Sequence, residues 1–207
     1  MRTITKVLAM LAILLPTQVH SKPYEIKSVS DIPVELSLLT TLYFETHDFT
    51  VAVGYEKNRR LSHKLRKLYS EGYIIQNIVM SYYMIRSFNE LHGLPTDTCK
   101  QPKWVKLVVV SPKTMYYSKL FDQVRKRHNG FVKVNGAYYE NSNDMVVTTL
   151  NKRDQLIVLQ HELAHYWWDV MCLDATYYSD SEQYAQDYEK FVVKFNKWYR
   201  KEITIRL

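Results

Sequence analysis

The stretch from Leu156 to Val170 constrains the fold more than any other, because it carries two different faces. At 3.6 residues per turn, Leu156, Leu159, Leu163, Trp167 and Val170 form one apolar stripe. Val158, His161, His165 and Trp168 fall on another face. Asn151 stands where a cap for this helix is needed, and Asp154 follows in its first turn. An apolar stripe of this kind requires a second layer to pack against, and the preceding residues supply one.

That preceding region is rich in strand signals. Trp104 to Val110 is dense in valine and reads as a buried strand. Pro112 opens a mixed segment to about His128 that reads as helical. Phe131–Val134, Gly136–Tyr139 and Met145–Thr149 read as short strands, with turns at Asn135-Gly136 and at Asn141-Ser142-Asn143-Asp144. After the histidine helix, a last helix is expected from about Ser179 to Lys201, lined by Tyr188, Phe191, Phe195 and Trp198.

The first half reads as mostly helical. Asp31, Pro33 and Glu35 resemble a helix start, and Leu36, Leu39, Leu42 and Tyr43 continue at helical spacing. Val51 to Tyr55 reads as a short extended piece or a turn. A long helical pattern then runs from about Asn58 to His92, stopped by Gly93 and Pro95. Helices, then a small sheet, then two helices predict an α+β fold with the histidine helix packed across the sheet. With 207 residues, five glycines, no repeat and no linker, residues 22–207 read as a single domain: a mostly helical part over 22–103 and a core over 104–207.

Residues 1–21 read as a secretory signal. Arg2 and Lys6 precede the unbroken apolar run Val7–Leu15, and Val19-His20-Ser21 offers a small-residue cleavage site. The run is too short to span a bilayer, so secretion or a periplasmic location is expected, without stable membrane insertion. The 28 basic residues less Arg2 and Lys6 leave 26 against 21 acidic ones, a mild excess. Its densest run, Lys57–Lys67, is interleaved with Leu61 and Leu65 and reads as the solvated face of a helix. No nucleic-acid recognition motif accompanies it. Cys99 and Cys172 are the only cysteines, and in an exported chain they are expected to form one disulfide.

Chemistry is concentrated in His161-Glu162-Leu163-Ala164-His165. Two imidazoles four residues apart lie one helical turn above each other and can reach one ion, and zinc accepts neutral imidazole nitrogens. Glu162 points away from its neighbour's ring, towards water on the ion rather than the ion itself. With its flanks, Val158 to Trp167 resembles the zincin metallopeptidases, and a looser resemblance runs from Trp104 through Tyr199. The resemblance implies a zinc ion, Glu162 as general base, an edge strand for substrate and a peptide or protein as substrate. It does not reach the residues before about Val105.

A third ligand is required. Asp169, one more turn along the helix, is a poor candidate, because three side chains up a straight helix cannot converge on one ion. Glu182 is the better one, and Glu182-Gln183-Tyr184-Ala185 resembles the E-x-x-A pattern of gluzincins, where a glutamate is the third ligand. That pattern often continues with an aspartate, whose place is taken here by Gln186, with Asp187 next. The plainer reading of Glu182 is a capping box with Ser179. Glu189 is the reserve ligand, and Asp174 and Asp180 are weaker ones. Tyr166 to Leu207 holds no histidine, which excludes the H-x-x-G-x-x-H metzincin pattern.

The expected activity is hydrolysis of peptide bonds by water activated on zinc, with Glu162 carrying the proton. Tyr177, Tyr178 and Tyr184 are candidate donors to the oxyanion. Two rivals stand beside this reading: a zinc hydrolase acting on non-protein or cell-wall amides, and an exported helical binding protein in which the motif is incidental.

Overall fold

The computed structural model describes residues 26–44, 48–57, 59–100, 104–122, 135–148 and 152–206. The proposed signal segment, the Phe131–Val134 strand and the Asn151 cap lie outside them. The described residues form a mixed α+β fold with one five-stranded sheet. The strands are β1 (Val34–Tyr43), β2 (Asp48–Glu56), β3 (Trp104–Val109), β4 (Gly136–Tyr139) and β5 (Asp144–Val147). The helices are α1 (Arg59–Leu68), α2 (Glu71–Leu91), α3 (Pro112–Tyr117), α4 (Lys152–Val170) and α5 (Ser181–Arg206).

Sheet order is β1-β2-β3-β5-β4. The inner strands β2, β3 and β5 run parallel, and β1 and β4 are antiparallel edges. Strand β3 is buried on both faces over Leu107–Val109, as a parallel inner strand should be, while Trp104 at its start is exposed.

Residues 34–43 are therefore strand and not helix. A bulge between Leu36 and Leu38 puts Leu36 opposite Gly54 and Leu39 opposite Ala52, so these two share one face of the sheet although three apart, while Leu42, opposite Phe49, lies on the other face. Leu36 and Leu39 are both exposed. The long helix expected over 58–92 is two helices, because Ser70 breaks it and caps α2 by accepting from the Tyr73 N–H at 3.2 Å. The first half thus supplies two strands to the same sheet that β3 to β5 complete.

Helices α2, α4 and α5 pack over one sheet face around the main core. Of the expected stripe, Leu159, Leu163, Trp167 and Val170 are buried and Leu156 is partly buried. The other sheet face is covered by a smaller cluster with Val29, Ile32, Met115 and Phe121. Tyr188 is buried in α5 as expected, whereas Phe195 is exposed and Tyr184 and Val192 complete the buried side.

Neutral hydrogen bonds key the three helices together. Gln160 donates to the Asn77 carbonyl at 3.1 Å and accepts from the Tyr188 hydroxyl at 2.8 Å. The Trp167 indole donates to Ser81 at 3.0 Å, and the Tyr184 hydroxyl to Asn89 at 2.8 Å. Leaving any of these buried groups unpaired is costly, so they fix how α4 is rotated against α2 and α5. The Cys99–Cys172 disulfide closes the far end. There the Cys99 and Lys100 N–H groups both donate to the Val170 carbonyl, at 3.0 and 3.1 Å.

Candidate metal centre

The rotation of α4 turns its second face into a cleft of roughly 760 Å³ between α4, β4 and the start of α5. Val158, His161, His165 and Trp168 all line it. The imidazoles of His161 and His165 meet through their Nε2 atoms, 3.3 Å apart. Glu182 approaches from α5, with Oε1 3.6 Å from His161 Nε2 and Oε2 3.4 Å from His165 Nε2. A tetrahedral zinc with ligands at about 2.0–2.1 Å has ligand-to-ligand edges of roughly 3.3–3.4 Å. One donor atom from each of His161, His165 and Glu182 lies within 4.8 Å of the others, so the three could hold a metal ion.

Glu182 is free for this because it does not cap its helix. Helix α5 starts at Ser181, and Asp180 is the cap, accepting from the Gln183 N–H at 2.8 Å. The Ser179 capping box is not formed. Glu182 sits in the first turn, where the helix dipole favours a carboxylate, and Gln186 steadies it with a hydrogen bond of 3.0 Å. Buried Ala185 is the small residue one turn on.

Glu189 is not a ligand in this arrangement. Its Oε2 lies 3.3 Å from His161 Nδ1, on the side of the ring away from the other donors. A neutral His161 that donates its Nδ1–H there presents the Nε2 lone pair to the centre. Burial works to lower the His161 pKa, but its hydrogen bonds to Glu182 and Glu189 outweigh that and push it up to about 10. Hydrogen bonds with His161 and His165 hold the Glu182 carboxyl well below the usual carboxylate range. The proton on Nε2 is the one a metal replaces.

Glu162 is buried and faces β4. Burial raises its pKa, while the two imidazoles and a hydrogen bond from the Tyr138 N–H pull the other way.

No family model matches this chain, and no curated protein or solved structure matches it.

Several expected residues lie elsewhere. Asp169 is paired with Lys100 and accepts from the Tyr138 hydroxyl at 3.4 Å, at the end of the cleft. Asp174 caps a surface turn, and Asp187 pairs with Lys190 at 2.7 Å. None of the three tyrosines proposed for an oxyanion lines the cleft. Tyr177 is exposed, Tyr178 packs against Trp168 and Tyr184, and Tyr184 is buried on Asn89. The tyrosine that does line it is Tyr138, whose hydroxyl donates to Asn143 at 3.0 Å. Sequence reasoning missed both Tyr138 and the role of Glu189. The strand reading over Gly136–Tyr139 could have flagged Tyr138 as an edge residue facing the metal helix.

Proposed function

We propose that this chain is a zinc metallopeptidase of zincin-like architecture, exported by its N-terminal segment. The observation that carries the reading is the spacing of three donors, His161 Nε2, His165 Nε2 and one Glu182 carboxylate, at 3.3 to 3.6 Å. A buried carboxylate stands beside them. Two further features support it. Edge strand β4 borders the cleft, and an extended peptide can pair with such an edge. No helix among the described residues is long and apolar enough to cross a membrane.

In this reading His161, His165 and Glu182 hold the zinc, and Glu189 sets the ring of His161. Zinc held there supplies Lewis acidity, making water nucleophilic near neutral pH and polarising a carbonyl. Glu162 accepts the proton of the attacking water as the new C–O bond forms. It then gives that proton to the amine nitrogen as the C–N bond breaks, so the carboxylate is regenerated. The floor of β4 and the apolar residues Ile157 and Val158 shape the space for substrate.

Metal analysis and a peptide-cleavage assay on the same preparations test this. The native protein is expected to carry about one zinc per chain. His165→Ala is expected to lose both metal and hydrolysis. Glu162→Gln is expected to keep the metal and lose hydrolysis by at least about a thousandfold. A native chain that binds no zinc sinks the reading, and an active Glu162→Gln enzyme removes the base.

A further inference from the structure

We propose that Gly136 is a positioning residue whose missing side chain makes the space that holds the Glu162 carboxylate, an inference that rests on the peptidase reading for its catalytic meaning. A Cβ placed on Gly136 would lie 2.3 Å from Glu162 Oε1, 2.6 Å from its Cγ and 2.7 Å from its Cδ. Atoms do not approach so closely, so any larger residue at 136 must displace the whole end of the Glu162 side chain. That side chain is buried and lines the cleft, so what a larger residue would change is its placement beside β4.

The backbone gives no reason of its own for a glycine here. Gly136 is the first residue of β4 and pairs with Val147 in a regular antiparallel register. Its backbone is extended, and positive φ among the described glycines is confined to Gly93. A glycine in a strand costs conformational entropy and packs nothing, and it commonly marks a close approach by another group. The group that approaches is the base. Both sides of the contact are anchored. The Asn135 carbonyl accepts from the Thr148 N–H at 2.8 Å, which fixes the start of β4. Glu162, on the other side, is buried on α4, with the Tyr138 backbone near enough to favour its charged form. Gly136 supplies the space that the carboxylate occupies.

The test compares Gly136→Ala with the same change beside Glu162→Asp, whose carboxylate is one methylene shorter. Gly136→Ala is expected to keep one zinc per chain, leave KM within about twofold and lower kcat on the order of a hundredfold. Glu162→Asp is expected to lower kcat in the native background and to raise it in the Gly136→Ala background. A second measurement needs neither metal nor substrate and also covers a variant that folds poorly. In the metal-free protein Gly136→Ala is expected to lower Tm by about 3–10 °C. In a Glu162→Ala background the same change is expected to leave Tm where it is. A Gly136→Ala enzyme with native kcat overturns the proposal, and so does an equal Tm loss with and without the Glu162 side chain. Should the native chain bind no zinc, the peptidase reading fails, and the melting comparison still decides whether Gly136 is shaped around Glu162.

Discussion

Gln160 and His161 are neighbours on α4, yet their side chains are stabilised in opposite ways. Gln160 points between α2 and α5, where Asn77 and Tyr188 satisfy it with neutral hydrogen bonds. His161 points into the cleft, where Glu182 and Glu189 surround it. The neutral side is closed on itself: its donors and acceptors match, and it needs nothing more. The ionisable side has two imidazoles and several carboxylates around an open space, and only a proton or a cation balances them. One side of the helix fixes its position, and the other spends that precision on a site.

The comparison can be broken from the ionisable side first. Against the effect of burial, hydrogen bonds to Glu182 and Glu189 raise the pKa of the His161 ring proton to about 10. Zinc must displace that proton, so affinity rises with pH, by about a hundredfold between about pH 6 and 8. Competition titrations with a chelator at each pH measure this, and a flat profile would show that His161 carries no such proton. Glu189→Gln weakens the hold on the ring without removing a ligand. It is expected to lower zinc affinity by about 10–100-fold while the stoichiometry at saturation stays the same. Complete loss of the metal would instead make Glu189 a ligand.

The smallest effect belongs to the neutral side. Tyr188→Phe leaves the Gln160 oxygen buried without its donor and is expected to cost about 1–3 kcal/mol of stability. Urea unfolding measures that cost, and zinc affinity should stay within about threefold, since α4 remains held by Trp167 and Asn77. A large loss of zinc in this variant would mean that the two sides of α4 are coupled more tightly than their separate contacts imply.

Much of the site was legible in the sequence because it depends on local spacing. Helical periodicity alone puts His161 and His165 on one face and buries Leu159, Leu163 and Trp167 on another. The valine-rich strand β3 and the α+β class also followed from residue type and order, whereas the pairing of the two cysteines was only plausible until their geometry was known. Where the sequence misled, the deciding information was not local. The apolar spacing of β1 imitates a helix, and only pairing with β2, with a bulge between Leu36 and Leu38, shows it to be a strand. Whether Glu182 capped its own helix or reached the histidines depended on which residue, Ser179 or Asp180, capped α5. That Glu189 backs His161, and that Gly136 leaves room for Glu162, are facts about separate elements meeting in space. Spacing along a chain determines which side chains share a face, but tertiary packing decides what that face meets.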